Sequence, residues 1–308
     1  MSFFSVIIPL YNKENFIENT LKSVLNQTFT DFEVILINDG STDSSEEKAK
    51  QFNDSRIRYF LKENGGASSA RNYGIGKAQT NYITFIDADD YWYPNFLQEM
   101  FENINCYSEL KVFSAAIEVE TSRKVIPSSY SIMKTGNCEI VNYFAASLKE
   151  TAICTSCAVF HKSIFEEIGN FDTKIKSGED TDMWIRIGLI YPILFSREIL
   201  ARYVYDENSL SKNIGLNYEK INFSKFSKQE KVNLDLKKFL DLNRFSYAIK
   251  CKMSGDEVLF ENYYKAIDLN NLSLKKRALL LMPALILKQL IHLKKVLAEF
   301  GIGSSIFK

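Results

Sequence analysis

Three carboxylates, Asp87, Asp89 and Asp90, stand within four residues at the end of the apolar run Tyr82-Ile83-Thr84-Phe85-Ile86. Carboxylates this close repel one another unless a cation or hydrogen-bond donors hold them. Hard oxygen ligands suit Mg²⁺ or Mn²⁺, ions that commonly bridge protein carboxylates to substrate phosphates. An acidic turn capping a helix that starts near Pro94 accounts for the same residues equally well. Asp39 and Arg71 have chemistry that would complement a diphosphate-bound ion. A carboxylate accepts hydrogen bonds from a ribose or a base N–H, and a guanidinium offers a planar fork to phosphate oxygens. Further on, Gly178-Glu179-Asp180-Thr181-Asp182 opens an apolar helical pattern. Acidic groups there suit the helix dipole, and a general base would suit the same positions; spacing alone does not separate the two.

The elements that must position these groups read as alternating strands and helices. Strand candidates are 3–10, 32–37, 57–60 and 82–86, with helical patterns over 14–27, 46–52 and from Ala67. That alternation indicates a mostly parallel α/β sheet with right-handed crossovers. Pro9 and Tyr11 then follow the first strand, Asp39 the second, and Asp87 and Asp89 the fourth. Ligands of open α/β sheets bind at that edge, so one nucleotide-diphosphate cleft is expected there. No G-x-G-x-x-G follows the first strand and no G-x-x-x-x-G-K-[ST] occurs, which argues against dinucleotide and P-loop binding. Gly74-Ile75-Gly76 reads as a turn. Beyond residue 100 the pattern predicts strands over 111–119 and 153–161 and helices over 140–148, 163–169 and from about 179.

The 308 residues allow one large α/β domain with an extension, or two domains, and 46% apolar content supports a sizeable core. Net charge is zero but uneven: residues 211–308 hold 18 Lys/Arg against 9 Asp/Glu, and residues 1–210 hold 20 against 29. A basic C-terminal third points to an anionic surface or to mutual complementation of the two parts. Phe3 to Pro9 is too short an apolar stretch for a signal peptide and lacks a basic leader. Five cysteines and two histidines fit reduced thiols in a cytoplasm better than zinc, and Cys154-Thr155-Ser156-Cys157 reads as buried small residues.

Taken in order, the motifs resemble family 2 glycosyltransferases of the GT-A fold. Ser5-Val6-Ile7-Ile8-Pro9-Leu10-Tyr11-Asn12 is similar to the family's first strand. Asn38-Asp39-Gly40-Ser41-Thr42-Asp43 resembles its DDGSTD segment, with Asn38 in place of the first Asp. Asn64-Gly65-Gly66 and Ala70-Arg71-Asn72-Tyr73-Gly74 resemble its N-x-G…ARN-x-G segment. Asp87-Ala88-Asp89-Asp90 resembles its D-x-D-D motif, and Gly178-Glu179-Asp180 with Trp184 and Arg186 its ED helix. The resemblance covers about residues 3–211. It implies a GT-A type Rossmann-like domain over 1–211, with a basic, mainly helical extension over 212–308. It further implies inverting, non-processive transfer of one sugar from a nucleotide-diphosphate donor, most commonly UDP-linked, to a glycan or lipid-linked acceptor in bacterial surface-polysaccharide synthesis.

By that resemblance Pro9, Tyr11, Asp39, Arg71 and Asp87 contact the nucleotide. Asp89, with Asp87, holds Mn²⁺ or Mg²⁺, and Asp180 is the base. Glu179 is a further candidate, as is Asp206, which stands where many relatives carry a His. Asp90 is expected to cap the following turn. The competing activities are metal-dependent nucleotidyl transfer, whose Gly-rich basic loop is missing after the first strand, and a degenerate nucleotide-sugar-binding module. Nucleic acid is not expected as a partner, and oligomeric state is left open. In the tail, Lys275-Lys276-Arg277 precede an apolar run, 278–287, too short for a bilayer that needs about 20 residues. Residues 274–300 fit an amphipathic helix on an anionic membrane, and equally helices packed on the catalytic domain or a second subunit. The expected location is the cytoplasm or the inner membrane face.

Overall fold

The computed structural model describes residues 2–121, 124–133, 136–204 and 221–299, and the chain forms two compact units, Met1–Ile221 and Asn222–Lys308. The first unit begins with β1 (Phe4–Leu10), α1 (Ile17–Leu25), β2 (Phe32–Asn38), α2 (Ser45–Lys50), β3 (Ile57–Leu61), α3 (Ala67–Lys77) and β4 (Tyr82–Phe85). These strands are parallel neighbours in the order β3-β2-β1-β4, with Phe4 opposite both Phe32 and Tyr82. All seven residues of β2 are buried. Burial on both faces explains why that strand reads as a continuous apolar run rather than an alternation. Helix α1 presents Ile17, Leu21 and Val24 to the core formed by Val6, Ile8 and Leu36. Helix α3 lies against β1, and a Cβ on Gly74 would sit 2.4 Å from Cγ2 of Ile7. Gly74 is therefore a contact point within a helix and not the turn that Gly74-Ile75-Gly76 suggests in isolation.

The chain continues through β5 (Tyr91–Trp92), α4 (Phe96–Cys106), β6 (Val112–Glu120), β7 (Val125–Pro127), β8 (Cys138–Val141), α5 (Tyr143–Ala146) and a 3₁₀ turn at Thr155–Cys157. It then forms β9 (Ala158–His161), α6 (Ser163–Ile168), α7 (Glu179–Gly188) and β10 (Ile193–Val204). One ten-stranded sheet results, ordered β3-β2-β1-β4-β9-β6-β10-β5, with β7 on β6 and β8 on β10. The parallel arrangement holds through the first four strands. Beyond β4, β9 pairs antiparallel with both β4 and β6, while β6 and β10 are parallel. In place of the helix expected over 140–148 are β8 and the single turn α5. Cys138–Val141 pairs in register with β10, and Asn142 Oδ1 then caps the amides of Phe144 and Ala145. The first part of the strand expected from 153 is the 3₁₀ turn. Strand β10 has no signature in the sequence: Arg197, Glu198 and Arg202 interrupt its apolar residues, and its register shifts twice between Ser196 and Ala201. Such irregularities break the period-two pattern that marks a strand.

The second unit contains α8 (Leu234–Ser254), α9 (Glu257–Lys265), α10 (Leu274–Leu281) and α11 (Ala284–Glu299). Asn233, Asp256 and Ser273 cap the first three by accepting amide protons from Leu236, Leu259 and Lys276. Side-chain acceptors at this position satisfy amides that the helix itself leaves open. This unit holds a small core of Ala248, Ile267, Leu272 and Leu280 and a largely buried ion cluster. There Arg244 grips Glu230 with two hydrogen bonds of 2.6 and 2.8 Å and also reaches Asp241. Pro283 separates α10 from α11. Among the described residues no helix is long and apolar enough to cross a membrane.

Candidate active site

The loops after β1 and β2 are joined by reciprocal hydrogen bonds. Asn12, at φ 50°, donates its amide to Ser41 Oγ and accepts from the amide of Thr42. The amide of Lys13 donates to Ser45 Oγ and that of Glu14 to Asp43. Pro9 and Tyr11 are half-buried beside this lip. Asp39 is 2% exposed and accepts from the amides of Gly65 and Gly66 and from Lys62. These donors largely fill the carboxylate's lone pairs, so Asp39 shapes the 64–66 loop around the expected nucleoside position. Asn38 donates to Tyr59 Oη and to Glu46, and accepts from the amide of Ser41. An Asp there would set a second carboxylate against Glu46, which accounts locally for the departure from the DDGSTD pattern.

The Asp87–Asp90 turn is held from three directions. Thr20 Oγ1 donates to the carbonyls of Ala88 and Asp90. Ser156 Oγ accepts from the amide of Asp87 and donates to Asp90 at 2.5 Å, and the amide of Val204 donates to the other Asp90 oxygen. Asp90 is thus a buried structural carboxylate rather than a cap of the following turn. Burial, then Asp89 and Asp87, push it well above the usual carboxylate range. Asp89 is also raised, chiefly by burial; Lys13 opposes that rise and Asp87 adds to it. Lys13 Nζ lies 2.5 Å from Asp89 Oδ2. On β10, burial and then these same aspartates raise the hydroxyl of Tyr203. A cleft of about 570 Å³ runs from Asp89 along α1, with Asn15, Asn19, Tyr91 and Arg202 in its lining.

Arg71 does not present its fork to the cleft. It is 4% exposed, donates to Asp87 at 2.8 Å and to Glu179 at 3.3 Å, and lies over the ring of Phe171. Burial disfavours its charge, but Asp87 and Glu179 more than restore it. Arg71 therefore joins the end of β4 to the start of α7. Burial is the main cause raising Glu179, followed by its neighbour Asp180, with Arg71 pulling it back. Asp180 Oδ1 accepts from the amide of Thr181 at 2.6 Å. Asp182, by contrast, is fully buried and bonds to Arg186, which in turn donates to the carbonyls of Ile168 and Asn170. The acidic start of α7 thus divides into a half-buried pair and a structural aspartate. Asp206 lies outside the described residues.

Among the described residues no three His, Cys, Asp or Glu side chains form a ready-made metal cage. The donors present still fit Mg²⁺ or Mn²⁺ in the manner of diphosphate sites, where one or two carboxylates suffice and substrate oxygens complete the shell. The observation in favour is a partly buried carboxylate, Asp89, that already carries a cation, the Lys13 ammonium. Of the groups around this turn, Lys13, Thr20, Ser156, Tyr203 and the Val204 amide carry no local signal in the sequence. Ser156 lies between Cys154 and Cys157, which are free thiols.

A family model described as Glycosyl transferase family 2 matches residues 5–169. An uncharacterized glycosyltransferase of Rickettsia conorii is 29% identical over 254 residues, 78% of this chain and 41% of the relative. Glycosyltransferase GlyA of Streptococcus pneumoniae is 30% identical over 219 residues, 68% of this chain and 31% of the relative. The chain therefore spans about two fifths and about a third of the length of these two relatives. Among solved structures, S. aureus TarS 1-349 in complex with UDP-GlcNAc superposes with a TM-score of 0.66 at 20% identity, covering 87% of this chain and 82% of that one. At that identity the likeness establishes the fold, which is GT-A.

Proposed function

The chain belongs to glycosyl transferase family 2, and from that premise we propose that it moves one sugar from a UDP-sugar to a hydroxyl of a glycan or lipid-linked acceptor. The transfer inverts the anomeric carbon and serves the synthesis of a bacterial surface polysaccharide. The observation that carries the reading is the Arg71 link, which joins Asp87 at the diphosphate end to Glu179, the neighbour of Asp180. The TarS neighbour captured with UDP-GlcNAc supports UDP as the nucleotide.

In this reading Pro9, Tyr11 and the loop organised by Asp39 receive the nucleoside. Asp89, with Asp87, would hold Mn²⁺ or Mg²⁺ against the diphosphate; when bound, the ion stabilises the negative charge that builds on the leaving group. Asp180, with Oδ1 engaged by Thr181, uses Oδ2 to take the acceptor hydroxyl proton. A hydroxyl is a poor nucleophile until a carboxylate does this. The acceptor oxygen then bonds to the anomeric carbon as the bond to the diphosphate breaks, and the diphosphate leaves with the electron pair. Glu179 and Arg71 position this base. The test is UDP release from UDP-sugars with Mn²⁺ and candidate acceptors. Asp89→Ala and Asp180→Ala should each abolish it, and robust turnover by Asp180→Ala would overturn the base assignment.

The same reading places the enzyme at the inner membrane face. Leu274, Leu281 and Leu285 are 80%, 73% and 69% exposed, with Lys275 and Lys288 among them. Exposed leucines interleaved with lysines fit the headgroup region of an anionic bilayer. Removing residues 274–308 should abolish sedimentation with anionic liposomes; unchanged sedimentation rejects this placement.

A further inference from the structure

We infer that the cleft between α1 and the paired strands β5 and β10 is a binding site for neutral glycan, which holds outlying sugars of the acceptor chain. The inference rests on the glycosyl-transfer reading above, which gives this cleft no role.

One wall of the cleft is a row of polar side chains on α1. Asn15, Asn19, Lys22 and Asn26 follow one another at steps of four, three and four residues, and all four are exposed and line the cleft. The amide of Ile17 donates to the carbonyl of Lys13 and that of Asn26 to Lys22, so the helical path extends past both ends of α1. Such steps set side chains on one helix face, and the row is about 16 Å long, more than one sugar ring. Among the described residues these four side chains form no hydrogen bond or ion pair.

The buried side of the cleft is different. Thr20 Oγ1 donates to the carbonyls of Ala88 and Asp90, and Ser23 Oγ donates to the carbonyl of Thr20 and accepts from the amide of Trp92. Its hydroxyls are spent on the fold, whereas the carboxamides of the open side are left for a ligand. The facing wall is Tyr91, with Arg202 5.8 Å from its ring centroid and the Tyr93 ring edge-on at 5.7 Å. Arg202 is itself held by Glu118, Glu120 and the hydroxyl of Tyr93, so the ring is braced before any ligand arrives.

These features select the occupant. A carboxamide offers donors and an acceptor together, which matches a sugar hydroxyl, and an aromatic ring offers a flat apolar face to the C–H side of a sugar. The lining carries two basic side chains, Lys22 and Arg202, against three acidic ones, Asp89, Asp90 and Glu120. A polyanion gains nothing from that balance, which turns the choice toward uncharged sugars. The volume of about 570 Å³ is that of a ligand site. The cleft begins at Asp89, so a glycan lying along α1 is continuous with the diphosphate end of the reaction centre.

The experiment exposes the labelled full chain to an array of neutral and anionic oligosaccharides, from monosaccharides upward, and titrates the strongest neutral binder. UDP affinity is measured in parallel by calorimetry. Neutral oligosaccharides should bind, and monosaccharides more weakly than longer chains. Asn19→Ala should weaken the titrated oligosaccharide about fivefold, the factor for one neutral hydrogen bond, with UDP affinity unchanged. Asn15→Ala combined with Asn26→Ala should weaken it further, and Tyr91→Ala by about tenfold. Should Tyr91→Ala fold poorly, Asn19→Ala decides, since alanine is favoured at an exposed helix position. Binding to no neutral oligosaccharide, preference for anionic ones, or unchanged affinity in the asparagine variants overturns the inference, and intact UDP binding then leaves the transfer reading standing. Failure of the wild type to bind UDP overturns that reading, and this inference with it.

Discussion

The two halves of the sheet are built by different means. In the β3-β2-β1-β4 half, neighbouring strands are parallel and follow one another closely in sequence, and the loops at their ends are joined by bonds between nearby segments such as Asn12 to Thr42. In the β9-β6-β10-β5 half the pairings are mixed and β10 arrives last. The halves are joined at the Asp87–Asp90 turn. Ser156 reaches Asp87 and Asp90 across 69 and 66 residues, and Val204 reaches Asp90 across 114. The lip formed by the loops after β1 and β2 is thus largely a local product, whereas the carboxylate turn is held from the second half.

The sharpest way to break that division is through Asp180, the proposed base at the start of α7. Asp180→Asn should lower turnover by about 10³-fold, the scale of general-base catalysis, with calorimetric UDP affinity unchanged. A parallel loss of UDP affinity would mean that α7 shapes the nucleotide site as well.

Ser156→Ala tests the join itself. Removing a buried hydrogen bond to a carboxylate costs about 2–3 kcal/mol. The expected signs are a lower urea midpoint at unchanged slope together with weaker binding of Mn²⁺ and UDP. Loss of stability with intact ligand binding would show that the turn keeps its geometry without the second half.

Within the parallel half, Gly74→Ala should destabilise by about 1–3 kcal/mol, because the added methyl meets Ile7 on a packed strand. Gly76→Ala, two residues along the same helix and with nothing within 4 Å, is the control and should be neutral or stabilising. Equal melting temperatures for the two variants would remove the close-contact account of α3.

The smallest effect is an acid limb that comes from the parallel half. Burial acts to raise Glu33, but donors from Ser5, Gln79 and Arg58 outweigh it, so its folded pKa lies below the ordinary 4.5. A depressed carboxylate contributes stability above its unfolded pKa and loses it as pH falls through the folded value. Glu33→Gln should therefore flatten the loss of stability on acidification below 4.5 and lower stability at neutral pH. An unaltered acid limb would place the acid-sensitive carboxylates elsewhere.

The first half of the fold was legible because its signals are local. Apolar runs buried on both faces end in Asn38-Asp39-Gly40 and Asp87-Ala88-Asp89, and each motif lies beside the element that presents it. The α/β class, the parallel alternation of the first strands and the placement of Asp39 and Asp89 at strand ends could be read in that way, whereas Asp180 was singled out only by the family resemblance. Strand β10 could not, since charges and register shifts obscure its period, and neither could β8, whose pairing partner lies more than fifty residues away. The functional groups divide along the same line. Residue type and spacing determined by themselves that carboxylates stand at strand ends. Only tertiary structure decided what each carboxylate does, because charge compensation depends on distance in space. It gave Asp87 to Arg71 and Asp89 to Lys13, and it made Asp90 a buried anchor held by Ser156 and Val204.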